Sequence, residues 1–142
     1  MEQVERREKV IESAEEFIRL RFSDVAEEYG RASTEPAAPD VWREVIEQHP
    51  EARFWVAQNK TVPLDILQVL ASDSDPRVRS MVASKRKLTP DILTTLAADS
   101  DESVRLAAAR HRSIPRDILE LLCSDEWEEI RNVARDRLDS GQ

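Results

Sequence analysis

Apolar residues along this chain come in short bursts at spacings of three and four, separated by polar turns that carry proline. Around 76–84, Val78, Met81 and Val82 share one helical face. Ala52, Trp55 and Val56 hold the same places, as do Val104, Ala107 and Ala108, then Ile130, Val133 and Ala134. A second burst follows, with Ile92, Leu93 and Leu96 after Thr89-Pro90. Ile66-Leu67, Ile92-Leu93 and Ile118-Leu119 lie 26 residues apart, each pair preceded by an aspartate (Asp65, Asp91, Asp117) and a proline (Pro63, Pro90, Pro115). Arg53, Arg79, Arg105 and Arg131 keep the same interval, and so do Asp73, Asp99 and Asp125. Several residue classes holding one period identify an internal repeat.

The pattern predicts two short helices per unit. Asp75-Pro76 reads as an N-cap followed by a first-turn proline, and Asp91 suits the positive end of the second helix. Helices of about nine residues are marginal in isolation, so each must pack on its neighbours, which is the logic of a solenoid. Regular units are expected at 50–75, 76–101 and 102–127, with a half unit and tail at 128–142. Residues 24–49 read as a degenerate unit offset by 25, in which Asp40-Val41-Trp42 match Asp65-Ile66-Leu67, Val45 matches Leu70 and Ala32 matches Ala57. A longer capping helix is expected over 3–22, within a 1–23 segment. Its apolar stripe is Ile11, Ala14, Ile18 and Phe22, with Glu2/Arg6, Glu5/Lys9 and Glu15/Arg19 as i,i+4 pairs. Pro36 and Pro39 mark a loop. The fold class is therefore all-α, an α–α superhelix in a single domain.

Composition narrows the chemistry. Two glycines in 142 residues argue against β-hairpins and glycine-rich phosphate loops. A 35% charged, 40% apolar chain suits an elongated structure with much surface. The net charge of −8 opposes polyanions, so the expected partner is a basic protein, with no nucleic acid and no membrane, and the chain alone is expected to be a monomer. One cysteine excludes an internal disulfide framework, and no apolar run reaches membrane-spanning length. No apolar leader is visible, which suggests the cytoplasm.

The loops after the first helices are basic: Lys60; Lys85, Arg86 and Lys87; Arg110, His111 and Arg112. Stacked units would align them as a ridge for an acidic partner or nucleic acid, or the cations simply complement helix C-termini. The period-locked arginines, Arg53 to Arg131, either bind a ligand or, as period-locked charges usually do, form a scaffold ladder with Asp73, Asp99 and Asp125. Phe54 and Trp127 break the register, standing where other units carry Ser80, Leu106 and Asn132, or Asp75 and Asp101. They either contact a partner or pack under the chain's own ends. Trp42 and Trp55 fall on core positions. Cys123 aligns with Ala71 and Ala97 and reads as a small buried side chain. His49 and His111 lack metal-ligand spacing, and no nucleophile setting is legible, so no catalytic residue, metal or cofactor is expected.

The stretch Asp75-Pro76-Arg77-Val78-Arg79-Ser80-Met81-Val82-Ala83, with Leu88-Thr89-Pro90-Asp91-Ile92-Leu93, resembles the variant leucine-rich repeats of bacteria, and HEAT and armadillo repeats more broadly. The resemblance covers about residues 50–135 and implies a helical-repeat solenoid. Some members of the variant family carry an iron–sulfur segment with four clustered cysteines, which this chain lacks. The functional expectation is a non-enzymatic protein-binding module, one concrete form being a bacterial immunity protein that blocks a cationic toxin domain. The alternative is a HEAT-like nucleic-acid binder using the basic loops.

Leu93 lies mid-array, so Leu93→Ala should cost about 2–5 kcal/mol, whereas Cys123→Ala should cost far less because its register equivalents are alanine. Denaturant titration of both variants checks this; a more damaging cysteine change would contradict the assigned core stripe.

Overall fold

The computed structural model describes residues 9–141. Among them the regular structure is helical, with ten α-helices and one isolated parallel bridge between Ile11 and Ala37. The chain divides into two compact units, 1–66 and 67–142, the division falling within one helix.

The first unit contains α1 (Ala14–Arg21), α2 (Ala26–Thr34), α3 (Pro39–Gln48), a 3-10 turn at Pro50–Ala52, α4 (Arg53–Gln58) and the start of α5 (Leu64–Leu70). The capping helix is shorter than the pattern predicts. Ser13 ends the extended approach and accepts the Glu16 N–H, while Glu16 reaches back to the Glu12 N–H, so the helix starts at Ala14. Ile11 is outside it, its N–H donating to the Pro36 carbonyl at 2.8 Å. The portion expected over 3–8, with the Glu2/Arg6 and Glu5/Lys9 pairs, lies outside the described residues. The buried face also differs: Phe17 and Leu20 join Ile11 and Ala14 inside, while Ile18 is half-buried and Phe22 exposed. Starting the helix at Ala14 makes Ala14, Phe17 and Leu20 one stripe. Phe17 meets Trp42 edge-on, with centroids 5.2 Å apart.

The second unit contains α6 (Pro76–Ala83), α7 (Pro90–Ala97), α8 (Glu102–Arg110), α9 (Arg116–Leu122) and α10 (Glu128–Asp139). α6, α8 and α10 begin at residues 76, 102 and 128, and α7 and α9 at 90 and 116, so both series advance by 26. Asp75 and Asp101 cap α6 and α8 by accepting backbone N–H groups, and Thr89 caps α7. Ile92, Leu93 and Leu96 are fully buried. In the first helices Val78, Val82 and Ala83, and Val104, Ala108 and Ala109, are inside, while Met81 and Ala107 are only half-buried. Trp55 and Val133, at the matching places, are half-buried too, so the second stripe position lies at the core's edge. Cys123, the C-cap residue of α9, is half-buried, unlike Ala71 and Ala97, which are buried, so it is not the enclosed small side chain that the alignment suggests.

The period-locked arginines form a scaffold. Arg79 donates Nε and Nη2 to Asp99 at 2.7 and 2.9 Å, and Nη1 to the Asp73 carbonyl at 2.7 Å. Arg105 repeats this with Asp125 at 2.8 and 3.2 Å and the Asp99 carbonyl at 2.8 Å. Arg131 reaches the Asp125 carbonyl at 2.7 Å, and in the first unit Arg53 reaches the Ile46 carbonyl. The carboxylates also accept N–H groups from Asp75, Asp101 and Trp127, folding each turn onto the next helix.

These geometries set the acid response. Burial alone pushes the Asp125 carboxyl up, but the hydrogen bonds from Arg105 and the Trp127 N–H, with the charges of Arg105 and Arg131, hold it below its ordinary 3.8. A lowered folded-state value contributes stability above the unfolded value, lost as pH falls through the folded one. The melting temperature should therefore drop below about pH 4. Asp125→Ala should cost roughly 3 kcal/mol at neutral pH, because it strips one partner from a largely buried pair, and should flatten the acid response. Thermal melts across pH on both proteins check this.

Candidate interaction surfaces

In the first unit, four side chains from three helices build one aromatic surface. Arg21 closes α1 and lays its guanidinium 3.7 Å from the Trp55 ring centroid and 5.8 Å from that of Tyr29 on α2. Phe54 meets Trp55 edge-on at 4.9 Å and 88°. The order is thus Phe54, Trp55, Arg21, Tyr29. A stacked guanidinium gains from the ring's negative face, and here it does so with Arg21 Nε buried without a hydrogen-bond partner. Tyr29 remains 43% exposed, and Phe22 and Val25, at the α1–α2 corner, are each 53% exposed. Phe54 is half-buried. Its ring partner is Trp55 of its own helix, a contact that neither of the two readings for it named.

Trp127 has a different setting. It is the N-cap residue of α10, 46% exposed, and its indole provides no cap for the helix. Asp75 and Asp101 accept N–H groups at the equivalent places, Asp101 also taking the Ser103 hydroxyl. Trp127 thus replaces an acceptor that α10 lacks.

The basic loop residues separate into two kinds. His111 is buried, its Nε2 2.7 Å from the Lys85 carbonyl, and its Nδ1 accepts the Ser113 N–H at 3.0 Å, which fits the tautomer with the proton on Nε2. Arg137, 26 residues on, donates Nη1 to the carbonyls of Ala109 and His111 at 2.7 and 2.6 Å. In the first unit, Asn59 sends Nδ2 to the Ala32 and Glu35 carbonyls at 2.7 and 3.0 Å. Lys85 belongs to the same series by spacing; it is half-buried and engaged, and desolvation pushes its ammonium below its ordinary value. Sequence reasoning took Lys85 and His111 for the ridge and missed this second ladder; its signal was a non-apolar residue at 59, 85, 111 and 137.

Arg86, Lys87 and Arg112 are exposed, and Arg110 is exposed while pairing with Glu129 at 3.2 Å. Arg86, Arg110 and Arg112 border a shallow groove of about 460 Å³ in the second unit, with Ala83 and Ala107 among its lining residues. Lys87 is not among them. Lys60 lies exposed after α4 in the first unit, its N–H bonded to the Ser33 carbonyl. Among the described residues no helix is long and apolar enough to cross a membrane, and no group of three or more His, Cys, Asp or Glu is placed to hold a metal.

No family model, curated protein or solved structure matches the chain.

Restoring the missing cap tests whether Trp127 is retained at a cost to stability. Trp127→Asp should stabilise the protein by about 1 kcal/mol, the usual value of an N-cap carboxylate. A melting temperature that falls instead would show that the indole packs as part of the fold.

Proposed function

We propose that this chain is a non-catalytic protein-binding module, that its 26-residue helix pairs are turns of a helical-repeat solenoid of the variant leucine-rich or HEAT-like kind, and that its aromatic surface docks a basic protein. The observation that carries the docking surface is the stacked Arg21–Trp55 pair, bordered by half-exposed Tyr29. Tryptophan, tyrosine and arginine dominate interface hot spots because each offers a large, nearly rigid contact area with a polar handle. A surface already ordered by Arg21 loses little conformational freedom on binding.

Charge supports a basic partner. Residues 1–66 carry 9 Lys and Arg against 15 Asp and Glu, a net −6, whereas residues 67–142 carry 12 against 14, a net −2. The acidic excess therefore lies in the half that holds the aromatic surface. It would speed encounter with a cationic protein. Neutralisation of a cationic toxin domain in the manner of an immunity protein is one concrete form, and a cytoplasmic site of action fits it.

The test is co-purification from the native host followed by binding titrations with variants. A partner of basic composition should be retained. Tyr29→Ser and Phe54→Ser should each weaken it at least about tenfold, or about 1.4 kcal/mol. Tyr29→Ser should leave the melting temperature nearly unchanged, and Phe54→Ser should cost about 1 kcal/mol through the lost edge-on ring contact. Retention of an acidic protein, or affinity indifferent to both changes, would remove this reading.

A further inference from the structure

The groove of the second unit is chemically unlike the aromatic surface. We propose that it is a separate binding site for an acidic peptide segment, with Arg86, Arg110 and Arg112 receiving side-chain carboxylates. The inference stands independently of the first-unit docking surface.

Three observations carry it. First, cations of two different loops converge: Arg86 follows α6, Arg110 ends α8 and Arg112 follows it, and all three border one groove. Helix-end charge alone does not require that convergence. The residues that do satisfy helix-end carbonyls here are His111 and Arg137, and Arg86 and Arg112 stand exposed beside them.

Second, Arg110 already holds a carboxylate, that of Glu129 at 3.2 Å, with both side chains about 60% exposed. An exposed pair of this kind contributes roughly 0–1 kcal/mol. A ligand carboxylate can therefore replace Glu129 at little cost. Guanidinium forks bind carboxylates in a bidentate manner, so the same group is suited to an incoming glutamate or aspartate.

Third, the surroundings favour peptide over polyphosphate. α6 and α8 end at Ala83 and Arg110, both on the groove wall. The half-buried methyl group of Ala107 offers apolar contact to aliphatic stems. A net charge of −8 also opposes a long polyanion over its whole length, whereas a short segment senses mainly the local arginines.

The probe is a fluorescein-labelled hexapeptide of alternating glutamate and alanine, titrated with the full chain at about 0.1 M salt. Saturable binding is expected, absent for the same peptide with glutamine in place of glutamate. Arg86→Glu with Arg112→Glu should weaken it at least tenfold, about 1.4 kcal/mol. Glu129→Gln should tighten it by releasing Arg110, a gain that a misfolded protein cannot give. Arg112→Gln, with an unaltered melting temperature, provides the milder loss. Tyr29→Ser should leave it unchanged. The proposal is overturned if the peptide fails to bind, if binding survives charge reversal, or if an octamer of deoxythymidine binds as tightly as the glutamate peptide.

Discussion

Short helices create a surplus of unsatisfied backbone ends, and the answer to that surplus governs much of this molecule. Its helices run from six to twelve residues, so a large share of their N–H and C=O groups lie in first or last turns. Arg79 and Arg105 deal with several such groups at once. Each guanidinium holds a carbonyl of the turn before its own helix and a carboxylate of the turn that follows the next one. That carboxylate in turn accepts an N–H at the following helix start. One side chain thereby ties successive turns together, and because Asp99 serves both Arg79 and, through its carbonyl, Arg105, the connection propagates.

A second seam solves the same problem with unlike residues. Asn59, His111 and Arg137 each send polar hydrogens to carbonyls of an earlier turn. The requirement is a donor of suitable reach, not a given residue type. Asn59 is fully buried and uses both ends of its amide, Oδ1 accepting from Thr61. Burial of that kind tolerates no missing partner, since an unpaired buried amide costs roughly 1–3 kcal/mol. Trp42 departs from the rule, its Nε1 being buried without an acceptor.

With carbonyls and caps accounted for by these ladders, the residues that serve neither become informative. Trp127 stands at a capping position without capping. Arg86 and Arg112 stand beside the second seam without joining it. Tyr29 and Phe22 leave ring area in water that burial would stabilise by roughly 25 cal/mol per Å². Departures of this sort from local consistency are where proteins in general trade stability against another use, which is the reading proposed for these side chains.

The sequence by itself determined the helical class, most helix starts in the second unit and part of each buried face. Those follow from local rules: caps such as Asp75 and Asp101, first-turn prolines, and apolar residues at helical spacing. It also favoured a structural role for the arginine–aspartate interval, because a charge repeated in register with a core tends to meet the same kind of neighbour each time, as Arg79 and Arg105 do. It misjudged the ends. The α1 stripe was set by Ser13 and Glu16 rather than by the periodicity upstream, and Cys123 is only half-buried where Ala71 and Ala97 are buried. The tertiary structure alone decided which charges work inside. Lys85 and His111 look like Arg86 and Arg112 in the sequence, yet only three-dimensional proximity to a carbonyl 26 residues earlier distinguishes the buried His111 from the exposed arginines. Arg21 and Tyr29 likewise became part of a surface with Trp55 only when folding brought α1, α2 and α4 together. Side-chain contact across more than 20 residues of chain depends on how helices pack, and helical periodicity carries no information about it.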